Sequence, residues 1–533
     1  LLPQQSNVDI AQRFRTRLRE LADLSRRAVI GGAGAAGLYG IVGRRAIAAE
    51  DKPADPAWTL PPRVETRHTM TLNGASLDYH AIAETIVLTN QKGEPTAAID
   101  TISYLADRPP ANNPLAKPRP VAFVFNGGPG AASVFLHLGA LGPRILDTPD
   151  TGALPPPPVR LIDNPLTWLT FTDLAFVDPV GTGFSHGEGK EDNPDKTFWN
   201  VRSDLESLGA VIRRWLIRHD RWAAPVYLVG ESYGGLRAAA LAHRLERDIG
   251  LTPSGLVLIS PALDIALLRP DVATLLGPAA LLPSCAATAA AFAGKPATAA
   301  AEDAEHFALS EYLVGLARLT GIPPTGDPLI ARIAALTGLS EQVVRDARGR
   351  LSGGLFAHEF RRAEHQILSL YDATVTRPAA ANPWDDDAGD PVLDPAVAAF
   401  TSAFEHYAIE ELWYRSERPY RVLAEQVSNQ WNWDGAREGE AGLGAALASL
   451  QQALLAHPTT RVLIAHGRYD LVTPYFGSRW LVDQLAIPPN VRAGIVLRVY
   501  EGGHMMYNRP ASRAALTADA AKLFATDGAA HPQ

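Results

Sequence analysis

Three stretches near the start of the folded part of the chain, Arg67–Leu72, Leu77–Leu88 and Ala97–Leu105, alternate apolar and polar positions with period two. That period predicts antiparallel strands, with Asn90-Gln91-Lys92-Gly93 in the connection between the second and the third. Beyond Val121 the pattern changes. Val121–Phe125, Leu174–Val177, Val226–Val229 and Leu256–Ile259 are short, uninterrupted apolar runs separated by helix-length segments. Such runs predict parallel strands covered on both faces, the mark of the α/β class. Thr197–Arg218 and Tyr233–Asp248 carry helical periodicity with polar outer faces. Two more strands, Val462–Ala465 and Ile495–Val499, come late, followed by a terminal helix at Ala511–Ala525.

The stretch from Asp264 to Arg461 far exceeds the roughly 2–6 residues usual for a connection in such units. It reads as mostly helical, over 284–304, 305–319, 340–348, 357–370, 395–414 and 441–456, and it holds Trp384, Trp413, Trp431 and Trp433. An inserted cap is expected. The organisation predicted is an export segment over 1–48, a core from 49 to 264, a mainly helical cap over 265–460 and the rest of the core over 461–533. A Pro-rich linker from Lys52 to Arg63 leads into the first strand.

With 533 residues, 47% hydrophobic and 20% charged, the chain can bury a large core. The same figures exclude disorder as the main state, and the mean hydropathy of -0.03 excludes a polytopic membrane protein. A net charge of -8 argues against a nucleic-acid partner. Cys285 is the only cysteine, so no internal cystine supports the fold. Basic residues gather in 1–48, with eight arginines against three acids. There Arg26-Arg27, a Gly/Ala-rich apolar run from Ala28 to Gly43, and Ala46-Ile47-Ala48 form an export-signal pattern, with cleavage expected near Ala48–Ala49. Ser25-Arg26-Arg27 resembles a twin-arginine signal. The expected location is therefore periplasmic or secreted. The apolar run is too short to span a bilayer, so no stable membrane insertion is expected after cleavage.

Three motif matches fail on context. Gly32-x-Gly34-x-x-Gly37 has no buried strand before it, and too few residues separate it from Glu50 for a dinucleotide-binding unit. Asp385-Asp386-Asp387-Ala388-Gly389-Asp390 lacks the alternation and distal Glu of a calcium loop. His358-Glu359 is followed by Arg362 where a helical zinc motif needs His. No metal and no cofactor is expected.

Gly230-Glu231-Ser232-Tyr233-Gly234 is different, because it follows a buried run and opens a helix. Small residues flank the serine because such a strand-to-helix turn is sharp, and the turn raises the hydroxyl above the sheet. A serine needs a base, and the base an orienting acid. This nucleophile elbow belongs to the α/β-hydrolase fold, with a central, mostly parallel sheet, which places them in the order serine, acid, histidine. Asp470 lies just past Val462–Ala465 and His504 just past Ile495–Val499, at the same sheet edge as Ser232. Asp264 is the competing acid. His466 sits inside a strand pattern and reads as a packing residue. Two backbone N–H groups should bind the oxyanion, that of Tyr233 and that of Gly128 in the loop Asn126-Gly127-Gly128-Pro129-Gly130.

Four separated segments together resemble the serine carboxypeptidases: the Asn-Gly-Gly-Pro-Gly loop, Asp178-Pro179-Val180-Gly181-Thr182-Gly183-Phe184-Ser185, Gly230-Glu231-Ser232-Tyr233-Gly234 and Gly502-Gly503-His504-Met505. They span roughly 120 to 510 in the family's order. The resemblance implies an α/β-hydrolase exopeptidase with a helical insertion, acting on peptides. It also implies that Asn126, Gly127 and Glu231 contribute to substrate binding, with Asn126 and Glu231 on the free carboxylate. A protonated Glu can donate to a carboxylate, so acid conditions should favour the reaction. The sequence departs from the family at Val124, where the family has Trp, and at Ala140, where it has a second Glu. Ala131 replaces the family's cysteine after the glycine loop, consistent with a cystine-free, bacterial-type member. Prolyl aminopeptidases share a similar loop. An esterase, acyltransferase or aminopeptidase with the same triad, or a silent binding protein of this fold, are the alternatives.

Overall fold

A computed structural model of the chain describes residues 59–107, 118–154, 156–268, 274–380, 389–433 and 445–525. The expected export segment, the glycine motif at 32–37, Trp384 and Asp385–Ala388 lie outside the described residues.

Nine strands form the body of one sheet. They are β1 (Val64–Leu72), β2 (Ala75–Thr89), β3 (Pro95–Ala106), β4 (Val121–Phe125), β5 (Asp173–Val177), β6 (Val226–Glu231), β7 (Gly255–Ile259), β8 (Arg461–Gly467) and β9 (Ile495–Tyr500). Their order is β1-β2-β3-β5-β4-β6-β7-β8-β9, and His186–Gly187 adds a short tenth strand beside β3. Pairing is antiparallel from β1 to β5 and parallel from β5 to β9. This is the α/β-hydrolase arrangement. The two kinds of strand follow the two sequence periods. β4, β5 and β7 are buried at every position, whereas the edge strand β1 alternates.

Side chains of the central strands divide between two cores. Phe123, Leu228, Leu258 and Ile464 point to the layer made by α1 (Val201–Arg218) and α2 (Tyr233–Ile249). Val124, Val229, Val257 and Leu463 point to the opposite layer. A third core joins α3 (Leu276–Phe292), α4 (Ala297–Phe307) and Pro328–Thr337 to Tyr469, Tyr475 and Phe476.

The segment expected as one cap is divided among all three. Its first half builds the third core. α5 (Leu393–Glu410) packs with Phe135 in the second, and α6 (Ala445–Ala456) lies along α2 in the first. Two expected helices also differ. The helix expected over 284–304 is two, α3 and α4, because Gly294 takes φ +65° and Pro296 caps the second. In 357–370 helix gives way to strand. Gly353–Glu359 is helical, His365 takes φ 53°, and Gln366–Leu368 pairs antiparallel with Thr376–Pro378. Ile367 and Leu368 are buried there, so packing overrides the helical pattern. No helix among the described residues is long and apolar enough to cross a membrane.

The terminal helix α7 (Pro510–Ala525) closes the second layer through one aromatic anchor. Phe524 stacks on Tyr227 of β6 with 3.8 Å between centroids and meets Trp168 edge-on. Truncating a buried Phe costs about 3–5 kcal/mol. Phe524→Ala should lower the thermal unfolding midpoint by several degrees in a melting experiment. An unchanged midpoint would contradict this packing.

Candidate active site

β6 ends at Glu231 and α2 begins at Tyr233, leaving one residue to make the turn. Ser232 makes it at φ 59°, ψ -123°, a conformation costing about 1–3 kcal/mol for a residue with a side chain. A Cβ on Gly230 would fall 1.9 Å from the Gly234 carbonyl, so the turn closes on itself only with glycine there. Backbone bonds fix the rest. Ser232 N donates to Ile259 O at 2.9 Å, and Gly235 N and Ala262 N donate to Ser232 O.

Phe125 of β4 is the register partner of Gly230, so the glycine loop and the elbow leave the sheet side by side. Gly127 touches the elbow. A Cβ there would lie 2.7 Å from both Ser232 Cβ and Tyr233 N. Gly128 follows at φ +98°. The first amides of α2 have no carbonyl partner within the helix, which leaves the Tyr233 N–H free of one. The N–H groups of Gly128 and Tyr233, predicted as the oxyanion donors, thus belong to two backbones held in contact beside Ser232.

A buried cation fastens them. Arg237 donates to both carboxylate oxygens of Asp204 at 2.8 and 3.2 Å, and to the Asn126 carbonyl at 2.6 Å. Its guanidinium lies over the Tyr233 ring. Removing one partner of such a pair costs about 3–5 kcal/mol. On the other side, Ser428 donates to the Pro129 carbonyl at 2.6 Å and Ala424 N to Gly130 O. Asp178, from the second matching segment, accepts from Ser133 N and Tyr420 Oη. Burial pushes its carboxyl up to about 7.

Asp470 and His504 meet at the edge of the sheet. His504 Nδ1 lies 2.8 Å from Asp470 Oδ2, and both side chains are buried. Asp470 also accepts from Val472 N, Thr473 N and the Thr473 hydroxyl. Burial pushes its carboxyl up, but His504 and Thr473 outweigh that and hold it below the usual range. Burial likewise opposes charge on His504, yet the Asp470 and Glu231 carboxylates raise it above its ordinary value. With its Nδ1–H directed to Asp470, His504 keeps Nε2 for proton transfer. Its backbone is tied on both sides, since Ser260 Oγ donates to His504 O and His504 N donates to Tyr371 O.

Neither competing candidate joins the Asp470–His504 pair. Asp264 accepts from Ala266 N and caps the short helix Ile265–Leu268. His466 is fully buried in β8, and burial pushes its imidazole down to about 4.

Asn126 and Glu231 form a second buried pair next to the elbow. Asn126 Oδ1 accepts from Leu136 N at 3.0 Å, which turns its Nδ2 toward Glu231 Oε2. Tyr507 Oη contacts both Glu231 oxygens, at 3.0 and 2.9 Å. Burial pushes the Glu231 carboxyl up to about 7. Val124 and Ala140, the two departures from the family pattern, are both buried.

Sequence reasoning passed over Arg237, Thr473, Tyr507 and Tyr371. The first three carried a signal of position. Arg237 lies one helical turn beyond Tyr233, and Thr473 and Tyr507 each lie three residues past a triad member. Tyr371 carried none, because it arrives from the insertion. Its ring stands edge-on to His504 at 5.3 Å, and its carbonyl fits only because residue 503 is glycine. Among the described residues no group of His, Cys, Asp and Glu is placed to hold a metal ion.

Residues 110–251, which carry the glycine loop and the elbow, match the family model described as serine carboxypeptidase. A probable serine carboxypeptidase of Arthroderma benhamiae is 32% identical over 230 residues, 38% of this chain and 39% of that protein. The retinoid-inducible serine carboxypeptidase of Rattus norvegicus is 35% identical over 133 residues, 24% of this chain and 26% of that one. Serine carboxypeptidase-like 9 of Arabidopsis thaliana is 28% identical over 131 residues, 24% of this chain and 28% of that one. The chain thus spans between 26% and 39% of the length of these relatives. They come from a fungus, a mammal and a plant, and lend no support to a bacterial-type member. Among solved structures, a proline iminopeptidase of Mycobacterium smegmatis aligns over 84% of this chain and 100% of its own, at 15% identity and a TM-score of 0.36. On an α/β-hydrolase fold, the segment holding Asn126, Glu231 and Ser232 is similar in sequence to the serine carboxypeptidases.

Proposed function

We propose that the protein is a serine hydrolase releasing C-terminal residues from peptides, favoured in acid and acting outside the cytoplasm after export through residues 1–48. Ser232 Oγ attacks the scissile carbonyl carbon while His504 Nε2 takes its proton. The N–H groups of Gly128 and Tyr233 receive the developing oxyanion. His504 then gives the proton to the leaving amine as the C–N bond breaks, leaving an acyl-enzyme. Water, deprotonated by the same imidazole, releases the acid and restores Ser232. Asp470 holds the imidazole and supports its charge.

The observation that carries the peptide reading is the Asn126–Glu231 pair beside the nucleophile. A Glu with its carboxyl raised to about 7 is neutral in acid, and as a neutral acid it can donate to a substrate carboxylate. Above that pH it is an anion and repels the same group. Ala140 favours a second reading, since no carboxyl is available there to strengthen the site. In that reading the protein is a broader acyl hydrolase with no need of a free carboxylate.

Turnover of an N-blocked dipeptide acid against its C-terminal amide and ester separates the two readings, with Ser232→Ala as the blank. The acid should be preferred by roughly 10- to 150-fold, the worth of one hydrogen bond to a charged group. Equal or better turnover of the amide or ester would overturn the carboxypeptidase reading.

The pH profile supplies a second prediction. For the acid substrate, kcat/KM should fall as pH rises through about 7, where Glu231 ionises. Glu231→Gln should abolish that alkaline limb. A Gln variant that keeps the alkaline limb would contradict the assignment of Glu231.

A further inference from the structure

Glu231 is buried and hydrogen-bonds to a neutral amide and a phenol, and the two partners are not equivalent. Asn126 cannot turn over, because Leu136 N holds its Oδ1. Its Nδ2 therefore always donates to Glu231 Oε2. That oxygen is committed as an acceptor, and the carboxyl proton, when present, belongs on Oε1. Tyr507 bridges both oxygens, and its hydroxyl rotates. It can donate to the Glu231 anion, or accept from the neutral acid's Oε1–H until a substrate carboxylate takes that hydrogen bond.

The phenol is rigidly placed. Tyr507 is fully buried on the turn Met506–Asn508, three residues beyond the base. Its carbonyl accepts from Arg513 Nη1 at 3.0 Å. Its ring lies against Gly139, where an added Cβ would come within 3.1 Å of Tyr507 Cε2. Ala140, next along, presents only a methyl group. Among the described residues around this carboxyl, the hydroxyl of Tyr507 is thus the polar group supplied from the base's own loop.

We propose that Tyr507 is a positioning residue for the C-terminal carboxylate of the substrate, holding Glu231 so that its Oε1–H can be offered to that carboxylate. The proposal rests on the carboxypeptidase reading and adds the group that sets its specificity. Tyr507 touches no reacting atom and acts through Glu231. A loop that moves the base also moves Glu231's partner, which couples carboxylate recognition to the assembly of the triad.

Tyr507→Phe removes the hydroxyl and keeps the ring. With the blocked dipeptide acid and its ester as paired substrates, the acid-to-ester ratio of kcat/KM should fall roughly 10-fold or more, mainly through the KM of the acid. The alkaline limb for the acid substrate should move to higher pH, because the anion of Glu231 has lost a donor. Should the Phe variant fail to fold, replacing Tyr507 by a fluorotyrosine keeps ring and hydroxyl and strengthens the donor. The limb should then move to lower pH. A wild type that prefers the acid, with a ratio and limb unmoved by either replacement, would overturn the role of Tyr507 and leave the carboxypeptidase reading standing. Equal losses on acid and ester, with the limb in place, would make Tyr507 a packing residue and overturn it too. A wild type without preference for the acid would remove the reading itself.

Discussion

The backbone of Ser232 is the constraint from which the site is built. At φ 59° it turns the chain from β6 into α2 with no residue to spare, and it stays so because the surroundings leave it no alternative. Ile259, Gly235 and Ala262 hold it from one side, and the Asn126–Gly130 loop presses from the other. Arg237 binds the two halves, with contacts on the Asn126 and Gly127 carbonyls of the loop and two on Asp204 of α1. Strain at the nucleophile is thus offset by a buried ion pair one helical turn away. The same β7 end that receives Ser232 N also carries Ser260, which holds the carbonyl of His504. Nucleophile and base are therefore referenced to one strand.

Burial gives the site's charges their character. Asp470 keeps its negative charge although fully buried, because three donors and the imidazole surround it. Glu231 is comparably buried, and its amide and phenol partners do not outweigh that burial, so its carboxyl rises to about 7. Two carboxyl groups beside one histidine end on opposite sides of the usual range, because only the partners of Asp470 outweigh its burial. That divergence lets one act as the fixed anion that orients the base and the other as a proton-bearing recognition group. It also links recognition to catalysis, because ionising Glu231 raises His504.

Much of this was legible in the sequence, for physical reasons that differ by element. The sheet strands announce themselves because buried parallel strands must be continuously apolar. The elbow announces itself because only glycine fits two residues to either side of Ser232. Asp470 and His504 were found by strand order, since the ends of β8 and β9 lie at the edge that β6 reaches. The insertion was less readable. Its helices were found by composition, but whether α6 covers α2 or joins a cap depends on tertiary packing. The strand at Gln366–Leu368 was missed because two buried residues there answer to contacts far away in the chain. Tyr371 reaches His504 by the same long-range route, which no local pattern encodes.

The central claim is that the strained turn presents Ser232 as an activated nucleophile with His504 as its base. Treatment with a fluorophosphonate, followed by peptide mass spectrometry, tests it most directly. The account predicts stoichiometric phosphonylation at Ser232, at a rate that falls by orders of magnitude in His504→Ala. A protein that stays unlabelled, or is labelled at another residue, would contradict it and leave an α/β-hydrolase fold without the hydrolase.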